Sequence, residues 1–360
     1  MEVVTSIRTV RTQAPSVALR DALGRPLASL RLSVTDRCNL RCMYCMPEKH
    51  YRWLPQDHLL SFEELVRLVD IFTVLGVRRV RLTGGEPLLR RELDRLVSLL
   101  AANPLIDDFA LTTNGVLLAE QAGALHRAGL HRVTVSLDTL RPERFLAITR
   151  RDDHARVLDG IAAARRERFS GTKIDAVIIR GVNDDELSEL IEFGRANDAE
   201  VRFIEYMDVP GATQWSLKNI VSRAQILASL ERRYGQIAAV ASDSSAPASR
   251  FLLSDGTDFG IIASTTSPFC ARCDRSRLTA DGIWYRCLYA TAGTDLRRLL
   301  RDAAPPDEIA AQIADLVGSV WRARTDRGAE QRKTNHGRNA FVPLDALQRD
   351  PHFEMHTRGG

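Results

Sequence analysis

The sequence has no cysteine outside two groups of three, and it has no apolar run long enough to cross a membrane. All 6 cysteines of the 360 residues fall in these groups. A spanning helix needs roughly 18 apolar residues, and the N-terminus also lacks the continuous apolar core of a secretory signal. We therefore expect a cytoplasmic protein without a membrane segment, in which clustered thiols bind metal. Three disulfides would be the alternative in a secreted protein.

The chain also has little net charge. The formal net charge is +4, from 50 lysines and arginines against 46 aspartates and glutamates. This small excess suits an anionic small molecule, whereas a nucleic-acid partner would require a clustered basic face. We therefore expect no nucleic-acid partner. Hydrophobic residues make up 44% of the chain, which is typical of a globular protein with a substantial core.

A repeated unit of one short strand, one polar loop and one amphipathic helix follows the polar residues 1–27. The predicted strands cover residues 29–35, 78–83, 108–113, 131–137, 173–179 and 200–206. The predicted helices between them cover residues 61–75, 90–101, 119–128, 154–168 and 184–197. Six alternations predict an α/β fold with a parallel sheet and right-handed crossovers. Because a closed barrel needs eight, we expect a partial (βα)6 barrel that resembles a TIM barrel.

The pattern changes after residue 210, and four segments are expected along the chain. They are an N-terminal extension (1–27), the partial barrel (28–210), a smaller C-terminal domain (211–323) and a basic tail ending in Gly-Gly (324–360). The C-terminal domain is expected to hold helices near 222–234, 294–302 and 306–323 and strands near 249–254 and 258–263. Its Ala/Ser-rich stretch at 238–249 predicts a flexible connection. The basic stretch 322–338 is interpreted as solvated, with phosphate binding as the alternative.

The two cysteine triplets are the most informative feature of the chain. They consist of Cys38, Cys42 and Cys45, and of Cys270, Cys273 and Cys287. Three thiolates are one short of the four that close a zinc site or an iron–sulfur cluster, so each triplet leaves a position for a ligand that is not protein. Two open sites indicate an enzyme with two ligands. Spacing alone does not separate zinc from a cluster at the second triplet.

Polar or glycine-rich residues follow four of the predicted strands. They are TGGEP (83–87), TTNG (112–115), SLD (136–138) and EYMD (205–208). Because the carboxyl ends of parallel strands meet at one edge, these segments predict a single active-site rim. Asp36 and Glu86 are expected to organise loops there, and the histidines are expected to be structural or exposed.

The first triplet, followed by GGEP at 84–87, resembles the radical S-adenosylmethionine (SAM) superfamily. The resemblance implies a [4Fe–4S] cluster held by Cys38, Cys42 and Cys45, with SAM on the fourth iron. It assigns SAM binding to Tyr44, Gly85, Ser136 and Met207. Gly85 would bring its backbone to the SAM amino group with no Cβ in the way. Tyr44 would pack over the adenine, or else fill space beneath the loop.

From about Leu30 to Tyr289 the chain resembles the GTP 3′,8-cyclase family of that superfamily. The matching segments are LRLSVTDRCNLRCMYCMP, RLTGGEPLLRR, LTTNG, VSLD, RFIEYMDV and FCARCDRSRLTADGIWYRCL. The resemblance implies a second [4Fe–4S] cluster at Cys270, Cys273 and Cys287, whose open iron takes the guanine ring of GTP. It implies radical cyclisation of GTP to (8S)-3′,8-cyclo-7,8-dihydroguanosine 5′-triphosphate, the first step of molybdenum cofactor biosynthesis.

The resemblance also implies a set of residues that bind GTP and no catalytic acid or base. The set is Arg31, Arg81, Thr112, Lys173, Arg275, Ser276 and Arg277. Independently of any family, a buried anion would explain arginines inside strands, because arginine meets phosphates through charge-assisted hydrogen bonds. Solvated, outward-facing arginines are the alternative.

The resemblance extends to the C-terminus and to partners. Family members end in a Gly-Gly tail that reaches into the active site, and Gly359 and Gly360 match it, but Arg358 stands where an apolar residue is expected. An electron donor such as flavodoxin or ferredoxin, a functional link to cyclic pyranopterin monophosphate synthase, and a possible homodimer are implied. The alternatives are a radical SAM enzyme that modifies a peptide and a non-catalytic zinc-bound scaffold.

Overall fold

The computed structural model describes residues 19–242, 244–334 and 341–359. The disorder predicted for the beginning of the N-terminal extension, the last residues of the basic stretch and Gly360 therefore lie outside the described residues. Everything below concerns the described ranges.

Twelve strands of the described chain form one sheet. They are β1 (Ser29–Ser33), β2 (Arg79–Thr83), β3 (Asp108–Thr113), β4 (Arg132–Ser136), β5 (Lys173–Ile178), β6 (Glu200–Glu205), β7 (Ala238–Val240), β8 (Ser249–Leu252), β9 (Asp258–Ile262), β10 (Arg275–Leu278), β11 (Ile283–Tyr285) and β12 (Thr294–Asp295). Their order is β12-β11-β10-β1-β2-β3-β4-β5-β6-β9-β8-β7. The seven strands from β10 to β6, together with β9, pair in parallel. The predicted parallel α/β sheet is confirmed.

Twelve α-helices accompany the strands in the described ranges. They are α1 (Phe62–Val74), α2 (Leu93–Ala101), α3 (Leu118–Arg127), α4 (Pro142–Thr149), α5 (His154–Arg166), α6 (Leu187–Ala196), α7 (Arg223–Tyr234), α8 (Leu296–Leu300), α9 (Pro306–Arg322), α10 (Gly328–Thr334), α11 (Leu344–Arg349) and α12 (Met355–Arg358). No helix of the described chain combines the length and apolar character that crossing a bilayer would require.

The predicted elements agree with the observed ones to within a few residues, because each carries a clear local pattern. Helix α1 begins as predicted: Glu64 N donates to Ser61 Oγ at 3.1 Å, and Ser61 N donates to Glu64 Oε2 at 2.7 Å, which is a capping box. The sequence analysis missed α4, α10 to α12, β7 (in the stretch expected to be a flexible connection) and the strands β10 to β12. These strands have two to four residues, too few for a periodicity to show.

Strands that follow residue 210 extend the barrel sheet at both of its edges. β9 pairs in parallel with β6, and β10 pairs in parallel with β1, with Arg277 opposite Arg31. The region expected to form a smaller domain therefore contributes strands on both sides of the six-stranded core. This pairing carries the segment of the second cysteine triplet next to the first strand.

Alternation along β1 decides which side chains face the core. Leu30 and Leu32 are fully buried among the helices, whereas Ser29 and Arg31 point to the opposite face of the sheet. The same alternation holds for Val80 and Arg81 in β2. One face of the sheet thus packs an apolar core, and the other presents polar side chains toward the barrel interior.

The interpretation of the basic stretch as solvated is wrong for two of its arginines, whereas Arg322, Arg327 and Lys333 are exposed. Arg324 is only 1% exposed, and Arg332 donates from Nε to Asp208 Oδ2 at 2.8 Å. Sequence composition missed this because Cys273 O and Asp208, which bind these arginines, come from distant parts of the chain.

Two adjacent glycines let the loop after β2 pack directly on the loop after β1. A Cβ at Gly84 would lie 2.3 Å from Thr35 O, and a Cβ at Gly85 would lie 2.3 Å from Arg37 O. The backbones are joined by hydrogen bonds from Gly85 N to Thr35 O (2.9 Å) and from Glu86 N to Arg37 O (2.7 Å). The missing Cβ of Gly85 thus leaves space for Arg37 O, and this contact fixes the start of the first cysteine loop. The approach of the Gly85 backbone to the SAM amino group stays a prediction.

We expect Gly85→Ala to destabilise the protein by about 3 kcal/mol, because backbone atoms must move to admit the new Cβ. Gly123→Ala in α3 is the matched control. Its Cβ would meet only the movable ends of Arg127 and Glu167, at 3.1 and 3.3 Å. Helix propensity then makes that change neutral or stabilising by up to about 1 kcal/mol. Thermal unfolding followed by circular dichroism checks both; equal melting temperatures for the two variants would contradict the steric argument.

Candidate active site

A cavity of about 630 Å³ lies on the polar face of the sheet and is lined by all six cysteines. Side chains from β1 to β6 and from β10 contribute to its wall, which includes the predicted rim segments. Both triplets therefore open into one space. A volume of this size is typical of a small-molecule site.

The first triplet lies on a loop that is fixed by its own backbone and by α4. Met46 N donates to Cys42 O at 2.8 Å, and Met43 N donates to Ile148 O at 2.9 Å at the end of α4. The Arg41 guanidinium donates to Cys38 O at 2.8 Å. The three thiols therefore have a preset direction toward the cavity before any ligand binds.

The chemistry of this thiol set fits a metal cluster. Burial and the neighbouring Cys42 raise the pKa of Cys38 to about 12. A hydrogen bond with Cys45, together with burial, raises the pKa of Cys42 well above its ordinary value. The thiols of Cys38 and Cys42 therefore stay protonated unless a cation replaces their protons, and a cluster supplies that cation.

All four residues predicted to bind SAM line the cavity: Tyr44, Gly85, Ser136 and Met207. The Tyr44 hydroxyl donates to Asp138 Oδ2 at 2.8 Å, and Asp138 Oδ1 accepts from Val177 N at 2.8 Å. The sequence analysis noted the SLD segment but did not assign a role to Asp138. This carboxylate holds the tyrosine ring against the cavity wall beside the first triplet.

Three arginines from three neighbouring strands lie in one row across the polar face. In the strand register, Arg31 stands opposite Arg277 on one side and opposite Arg81 on the other. Burial lowers the pKa of Arg31, and the nearby Arg277 and Arg81 lower it further. Burial likewise lowers the pKa of Arg81 and of Arg277 to about 10. Like charges in adjacent strands repel, so the row is a site that an anion stabilises.

The remaining predicted GTP residues divide into two groups. Thr112 and Arg275 line the cavity, and Thr112 Oγ1 accepts from Arg81 at 3.2 Å. Lys173 and Ser276 are not part of the cavity wall. The Lys173 ammonium lies 3.2 Å from Glu200 Oε2, and Ser276 alternates with Arg275 and Arg277 in β10, so its side chain points to the opposite face.

Besides Arg286, the sequence analysis missed three cations in the wall: Arg79, Arg132 and Arg202. Each has a carboxylate partner, namely Asp274, Asp108 and Glu200. The two-residue spacing of Arg79 and Arg81 could have identified Arg79, because alternate residues of one strand share a face. Asp175, with its Oδ1 unpaired among the described residues, also lies in this wall.

The Ala/Ser-rich stretch is another part of the wall, which the flexible-connection interpretation did not anticipate. Residues 244–247 line the cavity, and Ser245 Oγ donates to Asp274 Oδ2 at 2.6 Å. Ser245 also accepts from Arg79 at 3.2 Å. Small residues permit this segment to approach the sheet closely, which its composition does not reveal.

The C-terminal tail reaches this site through Gly359. Arg277 Nη1 donates to Gly359 O, and a Cβ on Gly359 would lie 2.1 Å from Thr83 Oγ1. The backbone of Gly359 has φ +75°, a conformation that glycine adopts without strain. Glycine is therefore required by both space and backbone conformation.

Arg358 is held by specific side-chain contacts, although the family resemblance led us to expect an apolar residue. Its guanidinium donates to His352 O (2.6 Å), Leu288 O (2.8 Å) and Ala290 O (2.7 Å). It also stacks 4.3 Å from the centre of the Tyr285 ring. Arginine thus anchors the tail by binding carbonyls where an apolar side chain would rely on packing.

His356 was missed because it has no ligand-like spacing to the cysteines. It lines the cavity and is 3% exposed, and neither ring nitrogen has a hydrogen-bond partner among the described residues. The Tyr51 and Trp53 rings pack edge-on against it at 5.3 Å each. Burial lowers its pKa to about 3, so the imidazole is neutral.

Glu86 and Asp36 organise loops, as predicted. Glu86 is fully buried and accepts hydrogen bonds from Thr113 Oγ1 (2.7 Å), Asn114 N (2.7 Å) and Leu88 N (2.9 Å). Asp36 Oδ2 accepts from Leu54 N at 2.6 Å. Asn114, held in place by Glu86, extends its amide to within 4.0 Å of Cys38 Sγ.

Family models match two adjacent parts of the chain. The Radical SAM superfamily matches residues 32–194, and Molybdenum Cofactor Synthesis C matches residues 199–329. The partial barrel and the cysteine loop at its first strand therefore define a radical SAM enzyme, and membership implies a [4Fe–4S] cluster and SAM.

Relatives that align over nearly the whole chain identify one family within this class of enzymes. A Mycobacterium bovis protein named GTP 3′,8-cyclase 3 is 55% identical over 95% of this chain and 90% of its own length. A Mycobacterium tuberculosis protein named GTP 3′,8-cyclase 1 is 54% identical over 96% of this chain and 97% of its own length. The chain belongs to the GTP 3′,8-cyclase family.

Solved structures of much lower identity share the fold. Streptococcus suis SuiB bound to S-adenosylmethionine aligns with a TM-score of 0.58 at 15% identity, covering 86% of this chain and 68% of SuiB. This likeness supports the radical SAM fold and does not bear on the substrate.

We expect Glu86 to make stability depend on pH. Burial raises its pKa from 4.5 to about 7, so the folded state keeps a proton that the unfolded state has lost. The free energy of unfolding therefore falls as pH rises between these values, by at most about 1.4 kcal/mol per pH unit, and this contribution levels off above the folded pKa. Glu86→Gln should lack this slope in urea unfolding at several pH values. Glu231→Gln, an exposed change on α7, should keep it; identical slopes for all three proteins would refute the assignment.

Proposed function

We propose that this chain cyclises GTP to (8S)-3′,8-cyclo-7,8-dihydroguanosine 5′-triphosphate, the first step of molybdenum cofactor biosynthesis. The proposal rests on one observation: both cysteine triplets line the same cavity as the arginine row Arg31, Arg81 and Arg277. The family names given above support the same reaction. A peptide substrate would give no reason for a buried row of guanidinium groups.

The first triplet would hold one [4Fe–4S] cluster, with SAM beside Tyr44, Gly85, Ser136 and Met207. When bound, the cluster and SAM would supply the 5′-deoxyadenosyl radical needed to remove the ribose 3′ hydrogen of GTP. The chain contributes position: Asp138 fixes Tyr44, and Glu86 fixes the loop of Asn114 beside Cys38. Radical chemistry of this kind requires near-attack geometry and exclusion of water.

The second triplet would hold a second [4Fe–4S] cluster that takes the guanine ring. The thiols fit such a group. Burial acts to raise the pKa of Cys273, but Arg275 and Arg324 outweigh it and lower that pKa. Gly328 leaves room beside Cys287, because a Cβ there would lie 3.0 Å from the Cys287 sulfur.

The triphosphate would lie on the arginine row, with Thr112 and Arg275 adjacent. Guanidinium groups bind phosphate oxygens with paired, charge-assisted hydrogen bonds. The bound anion would relieve the mutual repulsion of Arg31, Arg81 and Arg277. Lys173 and Ser276 have no place in this wall, so we leave them out of the proposed contacts.

Several partners complete the proposal. One-electron chemistry requires a reductant, and flavodoxin or ferredoxin supplies electrons of suitable potential. The product would pass to cyclic pyranopterin monophosphate synthase, and the chain would form a homodimer. The expected order along the chain remains an N-terminal extension, a barrel, a C-terminal region with the second cluster and a Gly-Gly tail.

Incubation of the anaerobically reconstituted protein with SAM, a strong reductant and GTP tests the reaction. Mass spectrometry should detect 5′-deoxyadenosine and a GTP-derived cyclised nucleotide. Iron analysis should find about eight irons per chain, as two cubane clusters require, whereas one or two zinc ions would indicate the scaffold alternative. The reaction is refuted if neither product forms in protein that holds the iron.

Removing one cysteine from each triplet should separate the two steps. We expect Cys38→Ala to abolish both 5′-deoxyadenosine and the cyclised nucleotide, because the first cluster is lost. Cys270→Ala should retain uncoupled SAM cleavage and lose the cyclised nucleotide by about a hundredfold or more, a loss at the scale of a displaced substrate. Equal loss of both products in Cys270→Ala would contradict separate roles.

A further inference from the structure

Two buried arginines hold the loop of Cys270 and Cys273 from the side opposite the cavity. Arg25 Nη1 donates to Cys270 O at 3.0 Å, and Arg324 Nη1 donates to Cys273 O at 3.0 Å. They are 3% and 1% exposed. Neither belongs to the cavity wall. Arg25 thus binds the backbone of Cys270, whereas Arg324 binds the backbone of Cys273 and also lies close to the Cys273 sulfur.

Two carboxylates join these arginines into one buried network. Asp21 Oδ2 accepts from Arg25 Nε at 2.6 Å and lies 3.8 Å from Arg324 Nη1. Asp326 accepts from Arg324 Nε at 3.1 Å through its carboxylate and from Arg25 Nη1 at 2.8 Å through its backbone carbonyl. We call Asp21, Arg25, Arg324 and Asp326 the buried bracket. It joins residues near both ends of the chain behind the second triplet.

Packing around the bracket makes it rigid. The Trp321 ring is fully buried, its Nε1 donates to Arg25 O at 3.3 Å, and the Arg324 guanidinium stacks 4.4 Å from the ring centre. The same segment reaches the third cysteine, since Gly328 packs against Cys287. Residues 321–328 therefore contact the backbone of Cys273 and the side chain of Cys287, and Arg25 contacts the backbone of Cys270.

Stability alone explains this arrangement poorly. Buried ion pairs are often no more stable than apolar residues of the same volume, because desolvation offsets the attraction. A hydrogen bond to a ligand's own carbonyl instead fixes the backbone of that residue and so the direction of its sulfur. Outer groups that orient metal ligands in this way commonly change metal affinity by about 10- to 100-fold.

We propose that Asp21, Arg25 and Arg324 are positioning residues for a metal cluster at the second triplet. This inference rests on the proposed function, which assigns a cluster to these cysteines. The bracket holds Cys270 and Cys273 at the separation that the cluster requires. The positive charges of its two arginines balance the negative charges of its two carboxylates. Loss of one arginine therefore leaves a net negative charge beside the cluster. At the first triplet, the guanidinium that donates to a ligand carbonyl comes from a near neighbour in the sequence, Arg41, which binds Cys38 O.

The test uses the full chain with Cys38→Ala, in which only the second triplet can hold a cluster. This parent should contain about four irons per chain. Adding Arg324→Met should speed iron loss to a chelator about tenfold or more and shift the midpoint potential, followed by electron paramagnetic resonance, to a more negative value. Arg324→Lys should restore much of both properties. Arg322→Met removes an exposed charge two residues earlier and should change neither.

The outcomes separate a failure of the bracket proposal from a failure of the second-cluster proposal. A parent that holds iron, with chelation rate and potential unchanged by Arg324→Met, overturns the bracket and leaves the second cluster standing. A parent without iron at the second triplet overturns both. Thermal unfolding is recorded for every variant, and Asp21→Asn, which keeps the side-chain shape, replaces Arg324→Met in the same comparison if that variant does not fold.

Discussion

The parallel pairing of β10 with β1 is the constraint on which the rest of this molecule depends. Four residues of β10 lie in register with Ser29–Leu32, although about 245 residues of chain separate them. This pairing brings the second cysteine triplet to the same cavity as the first. The pairing also places Arg277 beside Arg31. On the other side of Arg31, β2 adds Arg81 to the same row. Without it, the two triplets would be separate metal-binding loops.

The cavity that results combines two opposite electrostatic environments. Burial raises the pKa of Cys38, so this thiol of the first triplet keeps its proton in the absence of a cation. The arginine row instead has lowered pKa values through burial and mutual repulsion. One part of the wall is thus stabilised by a cation and another by an anion. In the proposed function, a cluster and a nucleotide triphosphate would satisfy both demands within one cavity of about 630 Å³.

Both ends of the described chain contribute to this cavity from outside the barrel. The tail brings Gly359 to Arg277 and is anchored by Arg358 on three carbonyls. Arg25 and Arg324 support the second triplet from behind. These contacts explain why arginines that composition would assign to solvent are buried. Binding and folding are therefore coupled, because groups that shape the site also hold the chain's ends in place.

The sequence by itself determined the six strands of the barrel, most helices and both cysteine triplets. These features are local: alternation, capping and short motifs depend on neighbours along the chain. Only the tertiary structure decided that Ser276 faces away from the cavity, that Lys173 pairs with Glu200, and that Arg79, Arg132, Arg202 and His356 belong to the wall. The physical reason is that strand register and long-range packing set these positions. The same reason applies to Arg324: its charge is visible in the sequence, but its burial depends on Asp21, about 300 residues away.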